Sequence, residues 1–389
     1  MRLENAHICL IAGGMRPANS RLQPWRYLLE TTRQLATRGS HVTLLSDGKK
    51  EDNQWDDENH VQRLPSVSAP LLSAHTPLSV AVSKIQPDCL LLHIGLSSFL
   101  HQRFAWWGTV PAIGIWTSPL YTHRELASIG WPRLLCNPSL SGLHILNAFI
   151  PRWLVRQRLG GSGVRCLVVQ THTLQKQGQK LWQGMIEVIP PGVDECWMAT
   201  QERNGLRARL GFRESEFVIA YFGSSAPLRG LPVLLQAFEA AQSRESRLRL
   251  LVLERRRPDE SGRLPTAARS NPRVKILSGC FSPAQVAAHV QACDAAALPF
   301  ELVPSDAPIS ILEAQAAGIT LITTRLGCLP ELAEGGHHYL VEPGDKESLA
   351  RTLLQAANEA SPVQSVHPSR PPRRWTHVGV DWAQLLRQL

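Results

Sequence analysis

The first half of the chain alternates short apolar runs with longer amphipathic segments. The apolar runs have the length of buried strands and lie at residues 7–13, 41–47, 88–95, 112–118 and 166–171. Between them, segments such as residues 27–39 carry apolar positions at helical spacing. Because strands and helices in alternation are typical of a parallel sheet covered on both faces, we expect a doubly wound α/β domain here.

The second half repeats the same alternation. Its apolar runs lie at residues 217–223, 248–254, 274–279, 294–300, 319–324 and 338–343, with amphipathic segments such as residues 231–242 between them. The two series are separated by residues 187–197, where Pro190, Pro191 and Gly192 disfavour a central strand. This break predicts a linker between two domains of the same class.

The length of the chain supports two domains, because 389 residues exceed the size at which a single core usually keeps growing. We predict an amino-terminal Rossmann-like domain over residues 1–190 and a carboxyl-terminal one over 191–371. After a proline-rich connector, residues 372–389 are expected to form a helix that packs back on the amino-terminal domain. Two such sheets place a ligand cleft between their carboxyl edges.

The positive net charge of the chain limits the kinds of molecule that it is expected to bind. A net charge of +9 and a pI near 9.4 indicate nucleotide phosphates, an anionic lipid surface or nucleic acid. Nucleic acid is disfavoured, because no basic stripe is interleaved with aromatic residues. The eight cysteines are scattered without a C-x-x-C pair, and no apolar run approaches the ~20 residues of a membrane span. We expect a cytoplasmic protein, with a peripheral position at the inner face of the membrane as the alternative.

The stretch SDAPISILEAQAAG, residues 305–318, predicts a helix built around Glu313. Ser305 or Asp306 is expected to cap it, Pro308 suits the first turn, and Gly318 suits a left-handed stop. The following run, residues 319–324, is β-branched and predicts a buried strand. Glu313 is therefore expected on a helix that leads into the sheet.

A second stretch, YFGSSAPLRG, has the pattern of a phosphate site. Gly223 ends a strand, Ser224 follows in the turn, and Arg229 stands directly before a helix, so a cation and free helix amides are expected to converge. The alternative is that Arg229 is a solvated residue at a helix entry. Gly13 and Gly14 end the first strand in the other domain, either to admit a ligand or only to make the turn.

These motifs together resemble a retaining glycosyltransferase of family 4 (glycosyl transferases group 1) with the GT-B fold. The resemblance rests on PDCLLLHIG, IEVIPPGVD, YFGSSAPLRG, LPFELVPSDAPISILEAQAAG and GCLPELAEGG, which stand in the family's order along nearly the whole chain. It implies two Rossmann-like domains facing a central cleft. It also implies transfer of a sugar from a nucleotide-sugar donor, held mainly by the second domain, to a glycan, lipid-linked or small-molecule acceptor held mainly by the first.

The resemblance also implies roles for individual residues. Glu313 matches the carboxylate that holds the donor ribose, whereas Ser305 replaces the family's other carboxylate. Beside it, Asp306 either reaches the transferred sugar or caps the helix. His123 follows residues 112–118, where relatives carry a histidine that meets the donor sugar, or it is a surface residue. The expected catalytic set is Asp306, His123 and Glu313, and the expected donor-binding set is Gly13, Gly14, Gly223, Ser224, Arg229, Ser305, Ala307, Pro308, Ile309 and Glu313.

No metal or other cofactor is expected. In the family the leaving phosphate takes the acceptor proton, so the protein orients the substrates and stabilises the diphosphate charge. The acidic cluster at residues 55–59 does not form a D-x-D motif. Two alternatives stay open: a sugar-nucleotide epimerase of the same fold, and a catalytically silent relative that only binds a nucleotide sugar.

Residues 143–161 raise the question of a membrane contact. They combine apolar residues with Arg152, Arg156 and Arg158, and residues 104–110 add two tryptophans. One interpretation is that the amino-terminal domain touches a membrane that bears a lipid-linked acceptor. The other is an ordinary core-facing helix with a basic outer face.

Overall fold

The structure is a computed structural model that contains two parallel sheets. It describes residues 4–48, 53–65, 67, 77–95, 98, 108–161, 163–199, 203–255, 266–359 and 371–388. The prediction for the two tryptophans of residues 104–110 lies outside the described residues.

The first sheet has seven strands and forms the amino-terminal domain. The strands are β1 (His7–Ile11), β2 (His41–Asp47), β3 (Val61–Leu64), β4 (Cys89–Ile94), β5 (Ala112–Trp116), β6 (Val164–Val169) and β7 (Met185–Val188). All neighbours are parallel in the order β3-β2-β1-β4-β5-β6-β7. The strand order reverses between β1 and β4, which is the switch point of a doubly wound sheet.

Eight described helices accompany this sheet. They are α1 (Trp25–Ala36), α2 (Asn53–Glu58), α3 (Pro77–Ile85), α4 (His123–Ile129), α5 (Trp131–Leu135), α6 (Pro138–Ala148), α7 (Arg152–Gly160) and α8 (His172–Gln179). Helices α4 to α7 follow one another between β5 and β6, so this connection is unusually long and carries a helical layer of its own.

The second sheet has six strands in the order β10-β9-β8-β11-β12-β13, again all parallel. The strands are β8 (Phe217–Gly223), β9 (Leu248–Arg255), β10 (Val274–Gly279), β11 (Ala295–Leu298), β12 (Thr320–Thr324) and β13 (His338–Val341). The described helices are α9 (Arg203–Arg209), α10 (Leu231–Gln242), α11 (Thr266–Ser270), α12 (Pro283–Gln291), α13 (Ile309–Ala316), α14 (Leu329–Ala333), α15 (Lys346–Glu359) and α16 (Trp375–Gln388). The predicted α/β class with two doubly wound sheets is confirmed.

The sequence reasoning missed strands β3 and β7. Both are four-residue edge strands, and each contains a charged residue, Arg63 in one and Glu187 in the other. An edge strand has one neighbour and a less buried face, so it does not need the continuous apolar run by which the other strands were found. As a result the predicted linker begins two residues too early, because Glu187 and Val188 still belong to β7.

The last helix packs on the amino-terminal domain although it follows the second sheet in the chain. Trp382 is fully buried and its indole N–H donates to the Tyr27 hydroxyl at 3.3 Å. Tyr27 in turn donates to the Ile189 carbonyl at 2.9 Å. Helix α16 therefore shares a core with α1 and β1, and the chain crosses between the domains twice.

The two domains touch through α4 to α6 and the segment that follows β11. Tyr121, Leu126 and Leu134 form a buried apolar cluster with Leu228 and Leu302 of the second domain. The Val303 amide donates to the Tyr121 hydroxyl at 3.0 Å. At the edge of this cluster Arg133 pairs with the buried Glu301 at 2.6 Å. In the described part of the chain, none of the helices combines the length and the hydropathy of a membrane-spanning segment.

Candidate active site

A pocket opens between the domains at the carboxyl edge of the second sheet. Its floor comes from the ends of strands β8 to β11, at Tyr221, Leu253, Gly279 and Leu298. This is the side at which the strand order reverses between β8 and β11. Doubly wound sheets bind ligands at such a switch point, because the loops on either side diverge and leave a crevice.

Glu313 is on the wall of this pocket, as the sequence predicts. It lies in the second turn of α13, which begins after Pro308 and ends before Gly318, a residue with φ of +70°. The side chain is half-buried. A carboxylate in this position accepts hydrogen bonds without donating any, which suits a ligand rich in hydroxyl groups.

Arg229 also lines the pocket and stands at the amino end of α10. It closes the 3-10 turn Pro227–Arg229, and its guanidinium lies 5.4 Å from the centroid of the Phe300 ring. Gly230 then takes a left-handed conformation with φ of +87° and starts the helix. The arrangement places a cation on the pocket wall directly before the amino end of a twelve-residue helix, which favours an anionic group there.

The turn between β8 and this arginine is shaped by Gly223 and Ser224, both on the pocket wall. Gly223 has φ of +141°, and a Cβ added to it would meet no atom of the described residues within 4 Å, so the space beside its backbone is open. The Tyr221 hydroxyl donates to the Ser224 carbonyl at 2.7 Å, and the Ser224 Oγ accepts from the Ala226 amide at 3.1 Å. These two bonds fix the turn around the open space.

Asp306 points away from the pocket and caps a helix of the other domain. Its carboxylate accepts from the amides of Gln170 at 2.6 Å and Thr171 at 3.1 Å, and from the Thr171 hydroxyl. Helix α8 begins directly after these residues. The expectation that Ser305 or Asp306 caps the Glu313 helix is therefore wrong: that helix begins after Pro308 without a side-chain cap bond.

A second carboxylate of the carboxyl-terminal domain binds the same helix end. Glu331 accepts from the amides of His172 at 2.7 Å and Thr173 at 2.8 Å, and from the Thr173 hydroxyl at 2.8 Å. We call Asp306 and Glu331 the carboxylate clamp. Four successive amides at the amino end of α8 are thus satisfied from across the domain interface, where the helix dipole also favours negative charge.

Burial sets the protonation of Asp306. Desolvation raises the pKa of its carboxyl group to about 7, against the lowering effect of the bonds from Thr171 and Gln170. Burial has the opposite effect on the pKa of His93, because the charged form of histidine is the protonated one, and it lowers this pKa to about 4. His93 is half-buried near the end of β4, where its Nε2 is 2.9 Å from the Thr117 hydroxyl. The lowered pKa makes it neutral near pH 7.

The other residues predicted from the helix entry divide into two groups. Ser305, Pro308 and Ile309 line the pocket. Ala307 is fully buried and takes part only through its carbonyl, which accepts from the Gln23 side-chain amide at 3.0 Å. Gln23 itself lines the pocket, so this bond joins the pocket walls that the two domains provide.

Gly13 and Gly14 lie outside the pocket lining and build the loop that supports it. The Gly14 amide donates to the Asp47 carboxylate at 2.7 Å, and the Trp25 indole donates to the Gly13 carbonyl at 3.0 Å. The pocket wall on this side is made instead by the next part of the same loop, at Arg21, Leu22 and Gln23. The sequence thus predicts the correct loop but the wrong residues in it.

His123 is placed away from the pocket. It is exposed at the start of α4, and its ring packs edge to face on Phe149 with 4.6 Å between centroids. The structure gives no support to a contact between His123 and a donor sugar, and we leave it out of the catalytic set.

Among the pocket residues that were not foreseen from the sequence, Arg26, Asp194 and Trp375 form one connected group. Arg26 pairs with Asp194 at 2.6 Å, and Asp194 also accepts from the Trp375 indole at 3.0 Å. These residues come from α1, the interdomain linker and the last helix, and all three line the pocket. They converge only after the chain crosses back to the first domain, so no local pattern could have revealed them.

Comparison with solved structures identifies the fold of the chain. The solved structures that share this two-domain architecture include sucrose-phosphate synthase from Thermosynechococcus elongatus, with a TM-score of 0.71 and 17% identity over 99% of both chains. Another is Anabaena HepE in complex with UDP-glucose, with a TM-score of 0.67 and 15% identity over 98% of this chain and all of that one. The fold is that of the GT-B glycosyltransferases, as the motif order implied.

Similarity to a known sequence family lies in the second domain. Residues 216–359 match the model described as "Glycosyl transferases group 1". A D-inositol 3-phosphate glycosyltransferase of Segniliparus rotundus is 31% identical over 149 residues, 37% of this chain and 33% of that protein. A lipopolysaccharide 1,2-N-acetylglucosaminetransferase of Salmonella typhimurium is 22% identical over 55% of this chain and 57% of its own length. The matches therefore span between a third and three fifths of these relatives.

Proposed function

We propose that the chain is a retaining glycosyltransferase that binds a nucleotide-sugar donor in the interdomain pocket and transfers the sugar to an acceptor hydroxyl. One observation carries the proposal: Arg229 and Glu313, the two side chains expected at the donor diphosphate and ribose, line one pocket at the switch point of the domain that matches the family. The acceptor side of the cleft is formed by the first domain.

The pocket supports a nucleotide diphosphate in particular. Arg229 and the amino end of α10 supply positive potential beside the open backbone at Gly223, where a phosphate oxygen has room to approach amides. Phe281 and Val286 add an apolar wall at the end of β10 and on α12, suited to a nucleobase. Because HepE has been solved with UDP and with UDP-glucose, UDP is the first probe we would choose.

The proposed chemistry needs no protein carboxylate as a proton acceptor. The bond between the anomeric carbon and the leaving phosphate oxygen breaks, and the acceptor oxygen forms its bond on the same face. The acceptor proton passes to the leaving phosphate oxygen. The protein then contributes orientation and stabilisation of the diphosphate charge, which agrees with a site that has Ser305 in its wall and Asp306 turned into the domain interface.

Calorimetric titration of UDP into the protein and its variants tests the donor site. Arg229→Ala and Glu313→Ala should each weaken UDP binding tenfold or more, because a charge-assisted contact is worth about 1.5 to 3 kcal/mol. Arg325→Ala and Glu334→Ala, which change exposed residues outside the pocket lining, are the matched controls. Equal affinities in all four variants would end the assignment. GDP and ADP titrated in parallel identify the base.

A turnover assay separates the proposed function from its alternatives. With a UDP-sugar and a mixture of hydroxyl acceptors, mass spectrometry should find a glycosylated product, and the anomeric proton coupling should match that of the donor. An isomerised sugar formed without acceptor would identify an epimerase. Tight donor binding with no product from any acceptor would favour a silent binding protein.

A further inference from the structure

Helix α6 in the amino-terminal domain has its apolar side facing outward. Its buried positions include Ser141, His144 and Asn147, three polar residues at intervals of three. The positions between them that face outward are Leu143 and Leu146, followed at the end of the helix by Phe149, and these are 46%, 54% and 65% exposed. Leu140 and Ile145 pack toward the interdomain cluster, so α6 is apolar on its outer side as well, whereas the outer side of a surface helix is normally polar.

The inward contacts fix this orientation. The Ser141 hydroxyl donates to the carbonyls of Leu134 and Asn137 at 2.6 and 2.8 Å. His144 packs edge to face on Tyr121, with 5.1 Å between ring centroids, inside the interdomain contact. Turning the helix to bury its leucines would expose Tyr121 and break these contacts. The outward apolar face is thus part of the folded structure.

Neighbouring helices extend the apolar face. Among the described residues nine large apolar side chains are exposed, and six of them lie between residues 131 and 153, on α5, α6, the following turn and α7. Trp153 is 65% exposed and shares its face of α7 with Arg156. A concentration of exposed apolar residues on successive helices of one connection is typical of an interaction surface. We name Leu143, Leu146, Phe149 and Trp153 the α6–α7 face.

The charge around this face selects the partner. Residues 121–180 contain eight basic residues and a single acidic one, Glu125, so this stretch accounts for +7 of the net +9 of the chain. The basic residues are Arg124, Arg133, Arg152, Arg156, Arg158, Arg165, Lys176 and Lys180. Arg156 donates to the Lys180 carbonyl at 2.9 Å, which holds these two basic residues next to each other. An apolar surface bordered by cations fits an anionic bilayer, where tryptophan lies at the level of the headgroups.

We propose that the α6–α7 face docks the protein on a membrane that contains anionic lipids. Leu143, Leu146, Phe149 and Trp153 enter the boundary between headgroups and acyl chains, and Arg124, Arg156 and Lys180 contact the headgroup phosphates. The proposal is independent of the proposed transferase activity, since it concerns a surface on the opposite side of α6 from the interdomain contact. Helix α7 has the core-facing arrangement considered from the sequence, with Val155 and Leu159 buried, whereas α6 departs from it.

Co-sedimentation of the purified protein with phosphatidylcholine vesicles, with and without added phosphatidylglycerol, tests the proposal. Wild type should sediment with the anionic vesicles, less so as salt is raised, because the headgroup attraction is screened. Leu146→Gln and Phe149→Ser should each lower the bound fraction at least tenfold with an unchanged melting temperature. Val380→Gln removes an equally exposed apolar residue from α16 and should bind as wild type does.

A charge variant and an oligomer measurement complete the test. The double change of Arg156 and Lys180 to Gln should weaken binding at low salt while leaving the apolar face intact. Equal binding to neutral and anionic vesicles, or wild-type binding by both apolar variants, would overturn the assignment. Light scattering distinguishes a second copy as occupant: a dimer that Leu146→Gln dissociates, together with no vesicle binding, would assign the face to self-association instead. If either apolar variant has a lowered melting temperature, wild type alone still tests the proposal, because its binding to anionic vesicles must fall as salt is raised.

Discussion

Replacing Asp306 by asparagine tests whether this carboxylate is a catalyst or a contact between domains. In the structure one oxygen, Oδ2, accepts both amide bonds, from Gln170 and Thr171. The other, Oδ1, accepts from the Thr171 hydroxyl. An asparagine can keep its own oxygen on the two amides and turn its NH₂ toward the hydroxyl, which can accept as well as donate. Both amide donors at the helix end then keep an acceptor, and only the Thr171 hydroxyl changes its role from donor to acceptor.

The expected magnitude follows from this geometry. Asp306→Asn should leave turnover close to wild type and change the stability at pH 6 by less than about 1 kcal/mol, because the raised pKa keeps the carboxyl group largely protonated at this pH and asparagine offers the same pattern of one acceptor and one donor. Asp306→Ala should be far worse, because two buried amides lose their acceptor at about 1–3 kcal/mol each. Thermal melts and steady-state kinetics of both variants beside wild type provide the measurement. A hundredfold fall in kcat for Asp306→Asn at an unchanged melting temperature would refute the interdomain role.

The difference in unfolding free energy between wild type and Asp306→Asn should depend on pH, and the direction of this dependence can be measured. Because the folded pKa of Asp306, about 7, lies above the unfolded value of about 3.9, the folded protein binds more protons between these limits. The contribution of Asp306 to stability is then fully present below about pH 4 and is lost as the pH rises through 7. The unfolding free energy of wild type minus that of Asp306→Asn should therefore fall over this range, and a rise would contradict the burial argument.

Other predictions follow from single contacts. Arg207 is buried, pairs with Asp294 at 3.0 Å and donates to three carbonyls. Arg207→Ala should therefore lower the free energy of unfolding by about 3–5 kcal/mol in a denaturant melt. Arg209→Ala, which changes an exposed residue of the same helix, should leave it nearly unchanged. Glu331→Ala should loosen the carboxylate clamp and increase the radius of gyration in small-angle scattering, and an unchanged radius would show that Asp306 suffices. Activity should persist in EDTA, and a requirement for added Mg²⁺ would contradict the metal-free chemistry.

The sequence predicted what depends on local periodicity. Strand β8 was placed at its observed bounds, because a strand buried at the centre of a parallel sheet is apolar along almost its whole length. Glu313 and Arg229 were found for a related reason, since each belongs to a helix entry with its own stop and start residues. Position in a local motif was enough to place both on the pocket wall.

Contacts between distant segments could not be predicted in this way. Asp306 looks like a local cap, yet its partners Gln170 and Thr171 lie in the other domain, and a helix end accepts a carboxylate from any direction. The orientation of α6 was also hidden, because its leucines repeat at helical spacing whichever way they face. Only the contacts of Ser141 and His144 decide which side is inside.

Gly230 offers a last test of how the fold holds Arg229 at the pocket. A Cβ at Gly230 would lie 1.8 Å from the Pro299 carbonyl oxygen, which is backbone and cannot move aside cheaply. Gly211 has a similar left-handed φ of +80°, but a Cβ there would meet no described atom within 4 Å. Gly211→Ala should thus cost only the conformational term of about 1–2 kcal/mol.

Gly230→Ala should cost several kcal/mol more than Gly211→Ala and should also weaken UDP binding, because relief of the clash displaces the adjacent Arg229. Denaturant melts and calorimetric titrations of the two variants separate the terms. Equal losses of stability would mean that the close approach to Pro299 contributes nothing. Lower stability with wild-type UDP affinity would mean that the position of Arg229 does not depend on this turn. The contact between its guanidinium and the Phe300 ring would then be what holds Arg229 at the pocket.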